Sequence, residues 1–310
     1  MAYQIAEINR RITTDPEKFV ADCDARYEAV IMGTASNIAD NLERSPIVLL
    51  AGPSGSGKTT SAHRLEDALL TLGVRSHVIS MDNYFLTVSP ELTPLTEDGK
   101  YDFESPLCID MPRLQDHFDK LSRGEEIMVP YFDFMVRQQD LSRSTPLKLE
   151  KDEVVIFEGI HALNSEITGD HPEAMKLFVS AESDVLNGDR LLFPDEWARF
   201  VRRLVRDFKF RNTTAGETID MWDNVRRGEL KYIRPFLGNA NIFIDTAHAY
   251  DVPILSRYAI PLLEELPQNR PEYEDYLWLP GVLQRFEPLD EKYIKPQALV
   301  REFIGGGIYN

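Results

Sequence analysis

Residues 47–59 read Ile47-Val48-Leu49-Leu50-Ala51-Gly52-Pro53-Ser54-Gly55-Ser56-Gly57-Lys58-Thr59. The first five form a short apolar run, which predicts a buried strand. The next eight fit G-x-x-x-x-G-K-[ST], a phosphate-binding loop. The glycines let the backbone curl so that successive N–H groups point at one anion. The loop opens a helix whose first N–H groups are unpaired and whose dipole favours negative charge. Lys58 would reach the β- and γ-phosphates of a nucleotide, and the Thr59 hydroxyl would sit on Mg²⁺. The expected triphosphate contacts are Gly52, Ser54, Gly55, Ser56, Gly57, Lys58, Thr59 and Thr60. The competing reading is a plain Gly-Ser linker. It lacks the flanking strand and amphipathic helix that the loop requires and that this stretch has.

Outward from this stretch the chain alternates. Lys58–Leu72 reads as a helix stopped by Gly73. His77–Met81 reads as a second strand. Residues 86–106 hold Pro90, Pro94, Gly99 and Pro106 and read as a long loop. Met111–Leu121 is helical by spacing, and Glu126–Val129 and Leu147–Leu149 suggest a hairpin around 131–146. Val154–Phe157, Lys176–Ser180 and Asn241–Asp245 are apolar strands. Asp195–Phe210, Glu217–Arg227 and Val252–Leu266 are helical. Alternation of this kind predicts an α/β fold: a doubly wound parallel sheet with helices on both faces. Residues 1–45 read as a helical extension ended by Ser45-Pro46, residues 46–266 as the main domain, and the Pro-rich, aromatic residues 267–310 as a small C-terminal appendage.

The 310 residues include 51 acidic and 34 basic side chains, a net charge of -17. That balance argues against a nucleic-acid partner and against docking on an anionic membrane. A local basic cluster could still bind an anionic small molecule. The only cysteines, Cys23 and Cys108, form no CxxC pair and are expected as free thiols in a reducing compartment. The six histidines show no zinc-ligand spacing. Residues 1–15 have no apolar signal core, and no apolar run reaches membrane-spanning length. A cytoplasmic protein is expected, with self-association left open.

Three further places carry chemistry. Asp82 follows the second strand, and strand carboxyl ends line the ligand crevice of such sheets. It could take a proton from an attacking hydroxyl, or simply cap a turn. Glu158 ends the strand Val154–Phe157, where an acid can help hold Mg²⁺; His161 follows, and a structural role suits it best. Arg199, Arg202, Arg203 and Arg206 share one side of a helix. Arginines suit phosphate recognition and transfer, but a solvated face paired with acids is the alternative.

Taken together, these segments resemble the uridine kinase/phosphoribulokinase family of P-loop kinases, from about Ile47 to Asp245. Met81-Asp82-Asn83-Tyr84-Phe85 is similar to the family's base-bearing segment. Tyr101-Asp102-Phe103-Glu104-Ser105-Pro106 is similar to its ribose-binding stretch, with Glu104 where an Asp is usual. Phe157-Glu158-Gly159-Ile160 is similar to its Walker B element. Arg203-Leu204-Val205-Arg206-Asp207 and Arg211 resemble its lid helix. The resemblance implies a P-loop NTPase fold with a helical arginine lid, and Mg²⁺-ATP-dependent phosphorylation of a small-molecule hydroxyl, foremost a nucleoside 5′-OH. It implies Asp82 as base, Lys58, Arg203 and Arg206 as further catalytic groups, Thr59 and Glu158 on Mg²⁺, and Tyr84, Glu104, Phe132, Arg137, Arg206 and Arg211 around the acceptor. Phe132 and Arg137 stand where uridine–cytidine kinases carry a Tyr and a base-reading His, which predicts weak base selectivity. Another sugar-like alcohol or pantothenate is the alternative acceptor, and a nucleotide-binding regulator without transfer is the alternative class. Residues 1–45 and the tail look more like the larger bacterial nucleoside kinases.

Overall fold

The computed structural model describes residues 2–169, 171–267 and 269–309. Five parallel strands form the central sheet: β1 (Ile47–Ala51), β2 (Arg75–Ser80), β3 (Glu153–Glu158), β4 (Met175–Ser180) and β5 (Ile242–Asp245). Their spatial order is β2-β3-β1-β4-β5. Every residue of β1 and of β3 is buried. This explains their unbroken apolar runs, since both faces of each strand meet a core. Alternate residues divide between two cores. Val48, Leu50, Val154, Ile156, Leu177 and Val179 join one, and Ile47, Leu49, Val155, Phe157 and Phe178 join the other.

Helices cover both faces, as the alternation predicts. They are α1 (Ile5–Thr14), α2 (Pro16–Asn41), α3 (Lys58–Thr71), α4 (Met111–Ser122), α5 (Asp195–Phe210), α6 (Ala215–Gly228) and α7 (Asp251–Glu264). The first core holds residues of α1, α2, α3, α5, α6 and α7; α4 packs on the second. Register brings the strand ends level: Leu50 of β1 lies opposite Glu158 of β3, and Glu158 opposite Ser80 of β2. The expected strand boundaries move by one or two residues, with β2 starting at Arg75 rather than His77.

Three differences are larger. The extension is two helices, because the Asp15 carboxylate accepts from the Lys18 N–H and Pro16 takes the first helical position. The hairpin around 131–146 is present, but its outer strands are Ile127–Val129 and Thr145–Leu147, with an inner pair Phe132–Asp133 and Gln138–Gln139. A further hairpin, Val185–Asn187 with Arg190–Phe193, pairs with Tyr3–Gln4 and has no counterpart in the sequence reading. Residues 269–309 are closely packed. Tyr273, Tyr276, Leu279, Leu283, Phe286, Leu299, Val300 and Phe303 are buried in the first core beside α5 and α7. Each large apolar side chain buried there contributes about 1.5–3 kcal/mol. Both cysteines are buried free thiols. No helix among the described residues is long and apolar enough to cross a membrane.

Candidate active site

The loop between β1 and α3 is held from behind by a buried relay. The Arg202 guanidinium of α5 donates to the Gly55 carbonyl at 3.3 Å, to Thr246 Oγ1 at 3.1 Å and to the Thr246 carbonyl at 2.7 Å. It also meets the Asp251 carboxylate at 2.6 Å. The Thr246 hydroxyl in turn donates to the Ser56 carbonyl at 2.7 Å. Two loop carbonyls are thus held toward the core, which fixes the curl of the loop. Gly57 adopts φ +83°, and a Cβ there would stand 2.9 Å from the Leu299 side chain. A side chain there would be strained at that φ and would have to displace Leu299.

At the mouth, Lys58 Nζ donates to the Pro53 carbonyl at 3.2 Å, and Arg203 donates to Ser54 Oγ at 2.8 Å. Thr59 is exposed. Three carboxylates converge on this point. Glu158 at the end of β3 is buried, and burial pushes it up to about 7 against the pull of Lys58. Asp82 lies in the turn Met81–Tyr84 after β2. The cap of that turn is Ser80, whose hydroxyl accepts from the Asp82 N–H at 3.3 Å, so Asp82 itself is not the capping residue. Burial raises its carboxyl above the ordinary range, opposed by Lys58 and Arg211. Glu104 is pushed up to about 7 by burial, against Arg203 and Lys58. It packs on the end of α6, where a Cβ at Gly228 would lie 2.3 Å from its own Cβ.

Spacing along α5 predicted one shared arginine side, and that side faces inward. The solvated-face alternative therefore fails, and the four arginines divide by depth. Arg199 is buried against Glu229 at 3.0 Å, and Arg202 belongs to the relay behind the loop. Arg203 reaches the mouth at Ser54, and Arg206 lies close to it. Both meet Asp207, at 3.1 and 2.9 Å, and Arg211 approaches the same carboxylate at 3.4 Å. Three cations share one buried acid. Burial and its arginine neighbours lower the pKa of Arg211. The surplus positive charge suits a phosphoryl group.

The predicted acceptor residues separate. Glu104 lies near Lys58 and Asp82, and its neighbour Asp102 accepts from the Tyr232 hydroxyl at 3.0 Å. Tyr84, by contrast, is fully buried. Its hydroxyl bonds His117 at 2.8 Å and its ring packs against Phe157. In this structure it closes the turn that carries Asp82, with its side chain turned into the core. Phe132 is also buried, between Phe85 and Phe134. Arg137 is exposed at the hairpin tip, with φ 55° and its guanidinium over Phe103. Buried His161 packs edge-on to Tyr232, and burial pushes its pKa down to about 4.

Sequence reasoning missed Asp207 as the organiser of the lid, the Thr246–Asp251 half of the relay, and Glu302. Asp207 was legible as an acid four residues after Arg203. The others lie far along the chain from their partners and carry no local signal.

A phosphate cradle at the end of the first strand, a cluster of acids beside it and an arginine-bearing helix above it define a P-loop kinase. The chain belongs to the phosphoribulokinase/uridine kinase family, whose model matches residues 47–253. It is 31% identical over 199 residues to a uridine kinase of Deinococcus deserti, spanning 64% of this chain and 86% of that one. It is 30% identical over 206 residues to a uridine kinase of Oceanobacillus iheyensis, spanning 65% and 87%. Among solved structures, a protein described as a fructose transport system kinase from Silicibacter sp. TM1040 is similar at 19% identity and a TM-score of 0.49. That match covers 69% of this chain and 98% of that one.

Proposed function

We propose that this kinase transfers the γ-phosphoryl group of Mg²⁺-ATP to the 5′-hydroxyl of a nucleoside. The observation that carries the reading is the convergence of Lys58, Asp82, Glu104 and Arg203 at the carboxyl ends of β1 and β2 and the mouth of the loop. Lys58 and the loop N–H groups hold the triphosphate. Thr59 and Glu158 offer one hydroxyl and one carboxylate to Mg²⁺. That donor set fits a cation bound mainly through phosphate oxygens and water, and Glu158, strained toward its neutral form by burial, gains from a cation beside it. When bound, Mg²⁺ neutralises charge on the phosphates.

Glu104 holds acceptor hydroxyls, and Asp82 takes the proton as the acceptor oxygen bonds to phosphorus. The bond between the γ-phosphorus and the bridging oxygen breaks, and ADP leaves. The raised pKa of Asp82 makes it a stronger base than an exposed aspartate. Arg203, Arg206 and Arg211 meet the charge that grows on the transferring group.

The burial of Phe132 and the exposure of Arg137 favour weak base selectivity, with recognition resting on the sugar hydroxyls. A sugar-like alcohol or pantothenate is therefore the second reading. ATP consumption with uridine, cytidine, thymidine, adenosine, guanosine, ribose-type sugars and pantothenate tests both. Activity on several nucleosides supports the first reading. Turnover of a sugar or pantothenate alone rejects the nucleoside and keeps the kinase. No turnover of any alcohol rejects this acceptor set.

A further inference from the structure

The segment 299–309 lies beyond the region matched by the family model, yet it runs along the start of α3. Leu299 packs on Gly57, and Phe303 is fully buried with the Arg202 guanidinium over its ring at 5.1 Å. Tyr309 stacks on His63 and donates to Asp67. Between these anchors, one oxygen of the Glu302 carboxylate accepts from Thr60 N at 3.2 Å and from Thr60 Oγ1 at 2.8 Å.

Thr60 is the third residue of α3, so its N–H is one of the donors that a helix start leaves without an internal partner. Gly57 has no side chain to serve them. These are the same donors that lie next along the helix once Lys58 holds the β- and γ-phosphates. A carboxylate and the inner phosphate of a nucleotide cannot share one N–H and one hydroxyl, because both are anions and both need the same protons. The charge of Glu302 is also felt at Glu158 across the cradle.

We propose that Glu302 sets the nucleotide affinity of this enzyme by occupying the phosphate donors of Thr60 until the triphosphate displaces it. This rests on the nucleotide-binding reading given above. Leu299, Val300 and Phe303 hold the backbone in place, so only the Glu302 side chain has to swing. A competing group reduces apparent affinity by the fraction of molecules it leaves competent. If the seated form holds about nine molecules in ten, the loss is roughly tenfold.

The test is calorimetric titration of Mg²⁺-ATP into the wild type, Glu302→Ala and Glu302→Gln, with melting curves recorded with and without saturating ATP. Glu302→Ala is expected to bind ATP roughly tenfold more tightly. Glu302→Gln, which keeps the acceptor oxygen without its charge, should shift the same way by less. Without nucleotide, Glu302→Ala should melt below the wild type, having lost the contact on Thr60. With saturating ATP the two should converge, because the wild type has surrendered that contact as well. A residue that merely caps α3 and stays seated would leave the melting deficit unchanged in ATP and the affinity equal or weaker, and that result overturns the proposal. Should Glu302→Ala fail to fold, Glu302→Gln carries the affinity comparison. A Lys58→Ala control, expected to lose ATP in every background, separates failure of the nucleotide site from failure of the Glu302 effect. If no form bound ATP at all, the nucleotide-binding reading would fall and this proposal with it.

Discussion

Replacing Arg202 by methionine keeps the length and apolar stem of the side chain and removes the guanidinium. Arg202 and Asp251 are both buried, at 0% and 2% side-chain exposure. The change leaves the Asp251 carboxylate with the His248 N–H, at 2.9 Å, but without its charge partner. Breaking a buried ion pair from one side costs about 3–5 kcal/mol, mostly because the remaining charge stays desolvated. Removing both charges in Arg202→Met/Asp251→Leu should recover much of that stability. Nucleotide affinity should behave differently. The single and the double variant both lose the donor that holds the Gly55 carbonyl and orders Thr246 against Ser56. Both should therefore bind ATP more weakly by a similar factor, about tenfold for each 1.4 kcal/mol of lost loop order. Urea denaturation gives the stability and calorimetry the ATP affinity. A single variant within 1 kcal/mol of the wild type would contradict the buried pair, whose loss should exceed that figure. A double variant with wild-type ATP affinity would show that the relay does not preorganise the loop.

Asp82→Asn should lower kcat by about 10²–10⁴ while calorimetry shows ATP affinity nearly unchanged. A large loss of affinity with kcat intact would instead make Asp82 structural. Arg203→Ala and Arg206→Ala should lower kcat more than they weaken acceptor binding, because the charge they meet grows during transfer; effects confined to melting temperature would leave them as packing residues. For Glu104, the ordinary value of 4.5 rises to about 7 in the folded protein. The folded state then holds a proton that the unfolded state has released, so without ligand this group's contribution to stability falls as pH climbs from 4.5 through 7. Glu104→Gln should flatten that part of the melting profile, whereas an unchanged profile would place the carboxylate in water.

The assembly of β1, the loop and α3 was legible because every part of it is local. A buried apolar run, glycines at fixed offsets, a lysine and a helix start specify one another within thirteen residues, and β3 announces itself by an apolar run ending in an acid. The same locality placed Asp82 and Glu158 at strand ends. Depth was not legible. Helical spacing put Arg199, Arg202, Arg203 and Arg206 on one side, but which of them is structural depends on acids that arrive from elsewhere, Glu229 on one and Asp251 on another. Tyr84 adjoins the Asp82 turn in sequence, yet its hydroxyl belongs to His117, on a different helix. The tail shows the limit most plainly. Glu302 reaches Thr60 across 242 residues of chain. Strand and helix periods arise from neighbours a few positions apart, and a contact over that distance leaves no period to read. It exists because Leu299 and Phe303 are buried more favourably in the core than in water, and only the packed structure decides which carboxylate that burial carries to the cradle.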